Sequence, residues 1–251
     1  MTLGANDRWS LVVPMWNEAA RIEATVAELA ESFGHRSIEL IFVDDGSDDG
    51  TPDIVERACK EVALDAQVLR LETNRGKGAA VRAGLLEASG SVAGFVDADL
   101  SASPAEIKRV FDAVAQAGAD VVLASRAIVD ATITVRQPFA RRWSGWLFNL
   151  GLRAVRLTRR PDTQCGLKAF RADVVPALFE PLVASGFAFD VEVLARADRL
   201  GLTIVEVPIA WHHVEGSRLS PVRDGAATLL EAWRVRRALR REHLPAPTPR
   251  R

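Results

Sequence analysis

The chain has 251 residues, 48% of them hydrophobic and 26% charged, with a formal net charge of −1. That is enough apolar chain for one sizeable α/β core, and two cysteines without metal-ligand spacing, Cys59 and Cys165, exclude a disulfide framework and fit a reducing compartment. There is no basic-then-apolar leader and no run of about eighteen apolar residues, so neither a signal peptide nor a membrane-spanning helix is expected.

The first 125 residues alternate between two patterns. Apolar runs rich in Val, Ile and Leu cover 10–16, 38–44, 67–72, 92–97 and 120–125. Between them, helical periodicity covers about 19–33, 51–64, 78–88 and 104–117. Continuous apolar strands alternating with helices predict an α/β fold, a mostly parallel sheet with helices on both faces. Asp49-Gly50-Thr51-Pro52 and Ser101-Ala102-Ser103-Pro104 predict helix starts, each with Pro in the first turn behind a capping side chain.

Three of the predicted strands end in carboxylates. They are Pro14-Met15-Trp16-Asn17-Glu18, Asp44-Asp45-Gly46-Ser47 and Asp97-Ala98-Asp99. The C-terminal edge of such a sheet is where ligands bind. Each could separately be a cap or a turn. Together they would repel one another unless a cation or sugar hydroxyls receive them. In an extended Asp97-Ala98-Asp99 the two carboxylates share a side and can address one hard divalent cation, Mg²⁺ or Mn²⁺, which takes its remaining oxygens from water or diphosphate. Ser101 could add an oxygen, although capping the next helix is its alternative role. Asn74-Arg75-Gly76-Lys77-Gly78 follows the third strand and opens a helix, a place for phosphate, but without P-loop spacing. Arg126 ends the fifth strand and could hold diphosphate or pair with a carboxylate.

Beyond residue 133 the character changes. Residues 1–130 carry 12 Lys and Arg against 22 Asp and Glu; residues 131–251 carry 20 against 11. Basic amphipathic segments are expected at about 136–160, with Trp143, Trp146 and Phe148 among arginines, and at 222–241, with Leu229, Leu230, Trp233 and Leu239 against Arg234, Arg236, Arg237, Arg240 and Arg241. Arg with Trp suits an anionic membrane surface. The alternative is a solvated basic face packing through its Trp residues, for instance in a homo-oligomer. No nucleic-acid recognition motif accompanies the charge. The expected organisation is one domain over 1–242 and a disordered Pro-rich tail over 243–251.

In this order, Val-Pro-Met-Trp-Asn-Glu, Val-Asp-Asp-Gly-Ser-Asp-Asp-Gly-Thr, Asn-Arg-Gly-Lys-Gly and Asp-Ala-Asp resemble family 2 glycosyltransferases of the GT-A fold. Asp162-Thr163-Gln164-Cys165-Gly166-Leu167-Lys168, Phe187-Ala188-Phe189-Asp190-Val191-Glu192 and Gly216-Ser217-Arg218-Leu219 narrow the resemblance to dolichyl-phosphate β-glucosyltransferases and bacterial polyprenyl-phosphate relatives. The similarity covers about 9–240. It implies an inverting transfer of a sugar from a nucleotide sugar, UDP-glucose first, to a polyprenyl phosphate at the cytoplasmic membrane face. It places Pro14, Asn17, Glu18, Asp44 and Asp45 around the nucleoside, and Gly76, Lys77, Asp97 and Ala98 near the sugar nucleotide. Asp99 becomes the metal ligand, and Arg126 and Arg218 the phosphate holders. Asp162, Gln164, Asp190 and Trp211 are expected at the sugar or acceptor pocket, with core packing open for Trp211 and a cap or surface acid open for Asp190 and Glu192. Mannosyl relatives usually carry Gln where this chain has Ser101. UDP-GalNAc, UDP-GlcNAc or GDP-mannose as donor, a soluble acceptor, and a non-catalytic nucleotide-sugar-binding subunit are the alternatives. A nucleotidyltransferase would carry a Gly-rich basic loop after the first strand, where this chain has Pro-Met-Trp-Asn-Glu.

Overall fold

The apolar runs of the first half fold as central strands of one sheet. The computed structural model describes residues 8–34, 38–126, 132–133, 157, 160, 162–211 and 223–242. In chain order these form β1 (Trp9–Met15), α1 (Ile22–Phe33), β2 (Ile38–Asp44), α2 (Thr51–Glu61), β3 (Ala66–Arg70), α3 (Lys77–Glu87), β4 (Val92–Val96), α4 (Pro104–Gln116) and β5 (Val121–Ser125). Then follow β6 (Thr132–Ile133), β7 (Leu167–Arg171), a single 3₁₀ turn, α5 (Val175–Phe179), α6 (Phe189–Arg199), β8 (Ile204–Pro208), β9 (Ala210–Trp211) and α7 (Arg223–Arg241). The segment at 136–160 lies almost wholly outside the described residues, and Arg218 and the 243–251 tail lie outside them.

The sheet has seven strands in the order β3-β2-β1-β4-β7-β5-β8. All pairings are parallel except those of β7, which runs antiparallel between β4 and β5. β7 is the departure from the all-parallel expectation. Its sequence, Leu-Lys-Ala-Phe-Arg, interrupts an apolar run with a lysine that turns out to be buried.

Side chains alternate across the sheet, so each strand feeds two cores. Leu11, Val13 and Met15 of β1 pack with Ile22, Val26 and Leu29 of α1, Val55 of α2, and Ile107 and Val110 of α4. Val12 packs on the other face with Ala80, Val81 and Leu85 of α3 and with residues of α5, α6 and α7. α3 comes very close to the sheet: a Cβ on Gly84 would lie 2.5 Å from the Val12 side chain.

β1 is followed on one side by β2 and β3 and on the other by β4. The order therefore reverses between β1 and β4, and the carboxyl ends of those two strands border the crevice where open α/β sheets bind ligands. The Asn17–Glu18 and Asp97–Asp99 segments emerge there.

Helix starts differ in detail from the sequence reading. Gly50, at φ 81°, is the N-cap of α2, and the capping oxygen comes one residue earlier, from Asp49, which accepts from the Thr51 N–H at 3.0 Å. Ser103 caps α4 in extended conformation ahead of Pro104, without a side-chain hydrogen bond.

Candidate active site

The loops after β1 and β2 are laced together by side chains bonding to backbone. Asn17 sits at φ 54°, in the left-handed region that Asn tolerates better than most residues. Its N–H donates to Ser47 Oγ at 2.8 Å, and its Oδ1 accepts from the Asp48 N–H at 2.9 Å. The Glu18 N–H donates to Thr51 Oγ1 at 2.8 Å, and the Ala19 N–H to Asp49 Oδ2 at 3.1 Å. Asp44 Oδ2 accepts from the Ser47 N–H at 3.1 Å, while its buried Oδ1 has no hydrogen-bond partner among the described residues. Asp45 accepts the N–H groups of both Arg75 and Gly76 at 2.8 Å. Burial, with Asp44 adjacent, raises the Asp45 pKa despite those two bonds. Asp45 thus fixes the turn that opens α3, where Gly76 has φ 101°.

The second half of the site is built from ion pairs. Lys77, the first residue of α3, places Nζ 2.5 Å from Asp97 Oδ1. Burial opposes its charge, but Asp97, Asp190 and Asp99 outweigh that, and its pKa is raised. Lys168 of β7 pairs with Asp190 of α6 at 2.5 Å, and both are almost fully buried. The β4–β7 register sets Lys168 opposite Phe95, and the two ammonium groups lie 5.3 Å (Lys168) and 5.7 Å (Lys77) from the Phe95 ring centre. Burial pushes the Asp190 pKa up against the pull of Lys168 and Lys77. Arg126 makes a two-pronged pair with Asp162, both contacts at 2.8 Å, and its own N–H adds a third at 2.9 Å. Asp162 is buried, yet Arg126 holds its pKa below the ordinary value. The Arg126 guanidinium also lies over the Trp211 ring, 4.9 Å from its centre, within cation–π range.

Asp97, Ala98 and Asp99 do not continue β4. The chain turns there, with the Leu100 N–H bonded to Asp97 O at 3.0 Å and Leu100 at φ 46°. This corrects the extended geometry on which a shared carboxylate face rested. Asp97 is committed to Lys77 and packs so tightly on Gly166 that a Cβ there would lie 2.0 Å from its Oδ2. Asp99 Oδ1 accepts from the Ser101 N–H at 2.9 Å, and no hydrogen bond to its other oxygen occurs among the described residues. Thr25 of α1 anchors the turn by donating to Ala98 O at 2.6 Å. Among the described residues no group of three or more His, Cys, Asp or Glu forms a metal cage. The donor set fits a cation that takes one carboxylate oxygen from Asp99 and the rest from diphosphate and water, as Mg²⁺ commonly does.

The structure therefore brings Asp44, Asp45, Gly76, Lys77, Asp97, Asp190 and Lys168 into one network around Phe95 and the α3 turn. Arg126, Asp162 and Trp211 form a second cluster. Gln164, two residues from Asp162, donates from Nε2 to Phe187 O at 3.2 Å. Asp190 and Glu192 are both buried rather than surface acids. Glu192 serves a separate structural cluster with Arg196. Trp211 is 9% exposed and part of the core as well as the floor beneath Arg126. Pro14 is buried within β1.

Lys168 and Arg21 were not singled out from sequence. Arg21 pairs with Glu18, and Asp99 and Asp97 also favour its charge. Its spacing of three from Glu18 was the available signal. Trp16, 43% exposed beside Asn17, is a further flat surface at this edge.

The glycosyl transferase family 2 model matches residues 10–179. The chain belongs to that family. It is a glycosyltransferase, and its fold is GT-A. Dolichyl-phosphate β-glucosyltransferase of Saccharomyces cerevisiae is 32% identical over 239 residues, covering 86% of this chain and 70% of that protein. The protein of the same name from Drosophila melanogaster is 34% identical over 227 residues, covering 84% and 69%. Among solved structures, glucosyl-3-phosphoglycerate synthase from Mycobacterium tuberculosis in complex with Mn²⁺, UDP and phosphoglyceric acid superposes with a TM-score of 0.70 at 22% identity, over 96% of this chain and 80% of that one. That likeness is one of fold.

Proposed function

We propose that this glycosyltransferase moves glucose from UDP-glucose to a polyprenyl phosphate, with inversion, using a divalent cation, and that it works against the cytoplasmic face of a membrane. The observation that carries the site assignment is Asp99 at the β1–β4 switch point, with one carboxylate oxygen left for a ligand beside the Lys77–Asp97 pair. Identity of 32–34% to dolichyl-phosphate β-glucosyltransferases supports the donor and acceptor.

The acceptor chemistry explains why no side chain need serve as general base. A phosphate monoester, with its second pKa near 6, is largely dianionic at pH 7. The work left to the protein is alignment and charge placement. Asp44, Asn17 and Trp16 would border the nucleoside. Lys77, kept protonated by Asp97 and Asp190, would sit by the diphosphate. Arg126 and Arg218 would hold phosphate, with Asp162 and Trp211 fixing the plane of the Arg126 guanidinium. Asp99 would hold the cation, which would supply charge stabilisation to the leaving diphosphate.

Membrane contact is assigned to α7. Ala232, Val235 and Leu239 face the core, and Thr228 is buried with them. Leu230 and Trp233 are 53% and 51% exposed, on a helix that also presents Arg236, Arg237, Arg240 and Arg241. Large apolar side chains exposed among arginines suit a lipid interface, and no helix among the described residues is long and apolar enough to cross a membrane.

The test is nucleoside diphosphate release from UDP- and GDP-sugars, with Mg²⁺ or Mn²⁺ or a chelator, with and without polyprenyl phosphate in detergent. UDP release from UDP-glucose that needs both lipid and metal is the expected result. Donor binding without lipid-dependent release would move the acceptor to a soluble one, whereas release that ignores the lipid would be hydrolysis by water.

A further inference from the structure

Glu231 lies on α7, but its carboxylate points inward. Oε1 accepts the N–H groups of Ser185 at 2.8 Å and Gly186 at 2.9 Å, and Oε2 accepts that of Ala188 at 3.3 Å. This short strap of chain leads into α6. Gly186 O and Ala188 O turn into the start of α6, and the strap's remaining contacts go toward the donor site. Ser185 O accepts from the Ala79 N–H, in the first turn of α3, at 3.0 Å. Phe187 O accepts from Gln164. A Cβ on Gly76 would lie 2.6 Å from Ser185 O, and one on Gly78 would lie 2.7 Å from Phe189 Cβ. Strap and α3 turn therefore touch backbone to backbone, which only glycine at 76 and 78 permits. Asp45 grips the same turn from the β2 side through Arg75 and Gly76. The turn that aims Lys77 at Asp97 is thus clamped between Asp45 and a strap whose three amides converge on Glu231.

From this we propose that Glu231 is a positioning residue for the nucleotide sugar: it holds the Ser185–Ala188 strap against the start of α3 and so sets Lys77 in the donor site. The inference rests on reading that turn as part of the donor site. A carboxylate that merely satisfied loop amides would need no strap carbonyl directed at α3 and no glycine pair beneath it. Charge-assisted bonds to backbone amides are among the stronger ones, and water entering in place of Glu231 would restore hydrogen bonding but not the position of the strap. Glu231 also neighbours the exposed Leu230 and stands two residues from Trp233, so the element assigned to the membrane is the one that braces the donor turn.

The experiment measures UDP-glucose binding by calorimetry, without acceptor, in the whole protein and in Glu231→Ala and Glu231→Gln. Glu231→Ala should raise Kd about tenfold, the scale of losing a charged hydrogen-bonding partner. Glu231→Gln, which keeps one accepting oxygen, should fall between that variant and the parent. A purely structural role would lower the fraction of protein that binds and leave Kd unchanged, because stoichiometry reports folding and Kd reports the site. An unchanged Kd in both variants would overturn the proposal. If Glu231→Ala does not fold, the near-isosteric Glu231→Gln decides alone. Binding is read without lipid, so a wrong acceptor shows separately, as a parent protein that binds donor but releases no UDP when polyprenyl phosphate is added.

Discussion

The two halves of the donor edge use aspartate in opposite ways. After β1 and β2, the carboxylates of Asp44, Asp45 and Asp49 accept backbone N–H groups and so shape loops. After β4 and around β7, Asp97, Asp162 and Asp190 hold cations. One half fixes chain and the other fixes charge. Between them stands Asp99, with a single backbone bond and an oxygen to spare among the described residues. The lesson is that an acid at a strand end is no assignment in itself; what it already holds decides what it can still bind.

The largest effect should come from splitting a buried pair. Asp190→Asn leaves the Lys168 ammonium in the core with Cys165 O as its remaining close partner, and should cost about 3–5 kcal/mol in urea unfolding. The double variant Lys168→Met, Asp190→Leu should recover most of that stability but not the activity, because Lys77 loses the field of Asp190. Recovery of both would reduce the pair to packing. The Arg126–Asp162 pair also responds to pH. Arg126 lowers the pKa of Asp162, so its stabilisation is complete above the unfolded value of about 3.9 and is lost as pH falls through the lower folded value. Asp162→Asn should therefore lessen the low-pH loss of stability.

Next in size is Asp99→Ala. Among the described residues its only hydrogen bond closes a local turn, so the melting temperature should stay within a few degrees, while kcat should fall on the order of 10²–10³-fold if it carries the cation that stabilises departing charge. A near-parental rate would remove Asp99 from the metal and leave the comparison without its middle term.

Much of this was legible in sequence, for physical reasons. Buried parallel strands must be continuously apolar, so β1, β2, β4 and β5 announced themselves to within a residue or two at each end. The carboxylate positions were legible too, but not their duties. Whether Arg126 met diphosphate or a carboxylate was open, and Asp162, 36 residues along the chain, supplies the carboxylate. Lys168 closed one of the motifs that carry the resemblance, but its duty was not legible, because a lysine in a short apolar run reads as an interruption, not as a buried partner for an acid on α6. On α7, periodicity counted Leu230 and Trp233 with Leu239, yet the inward face runs through Ala232 and Val235. Small residues let the helix sit close and leave the larger side chains outside.

Asp45→Asn should act on the loop half by a smaller amount. The amide keeps one accepting oxygen where two N–H groups need one each, and an unsatisfied buried N–H costs about 1–3 kcal/mol. The loss should appear in stability and donor affinity together, because the released groups belong to Arg75 and Gly76, next to Lys77. A change in kcat alone would place Asp45 with the charge-holding acids.

The smallest effect is expected at Asp49, and it tests the comparison most directly. Asp49 resembles Asp99 in sequence setting: an acid following another acid after an apolar strand, with a helix close behind. Asp49, however, already accepts from the Thr51 N–H and Oγ1–H through Oδ1 and from the exposed Ala19 N–H through Oδ2. Asp49→Ala should thus resemble the loss of a helix cap, about 1 kcal/mol of stability, since water can replace it at Ala19. Donor Kd and kcat should shift by less than about threefold, the range of a surface substitution. Parallel assays of Asp49→Ala and Asp99→Ala compare like residue with like, differing only in what each carboxylate already holds. If both cut kcat alike, the division between acids that hold chain and acids that hold charge is wrong at this edge.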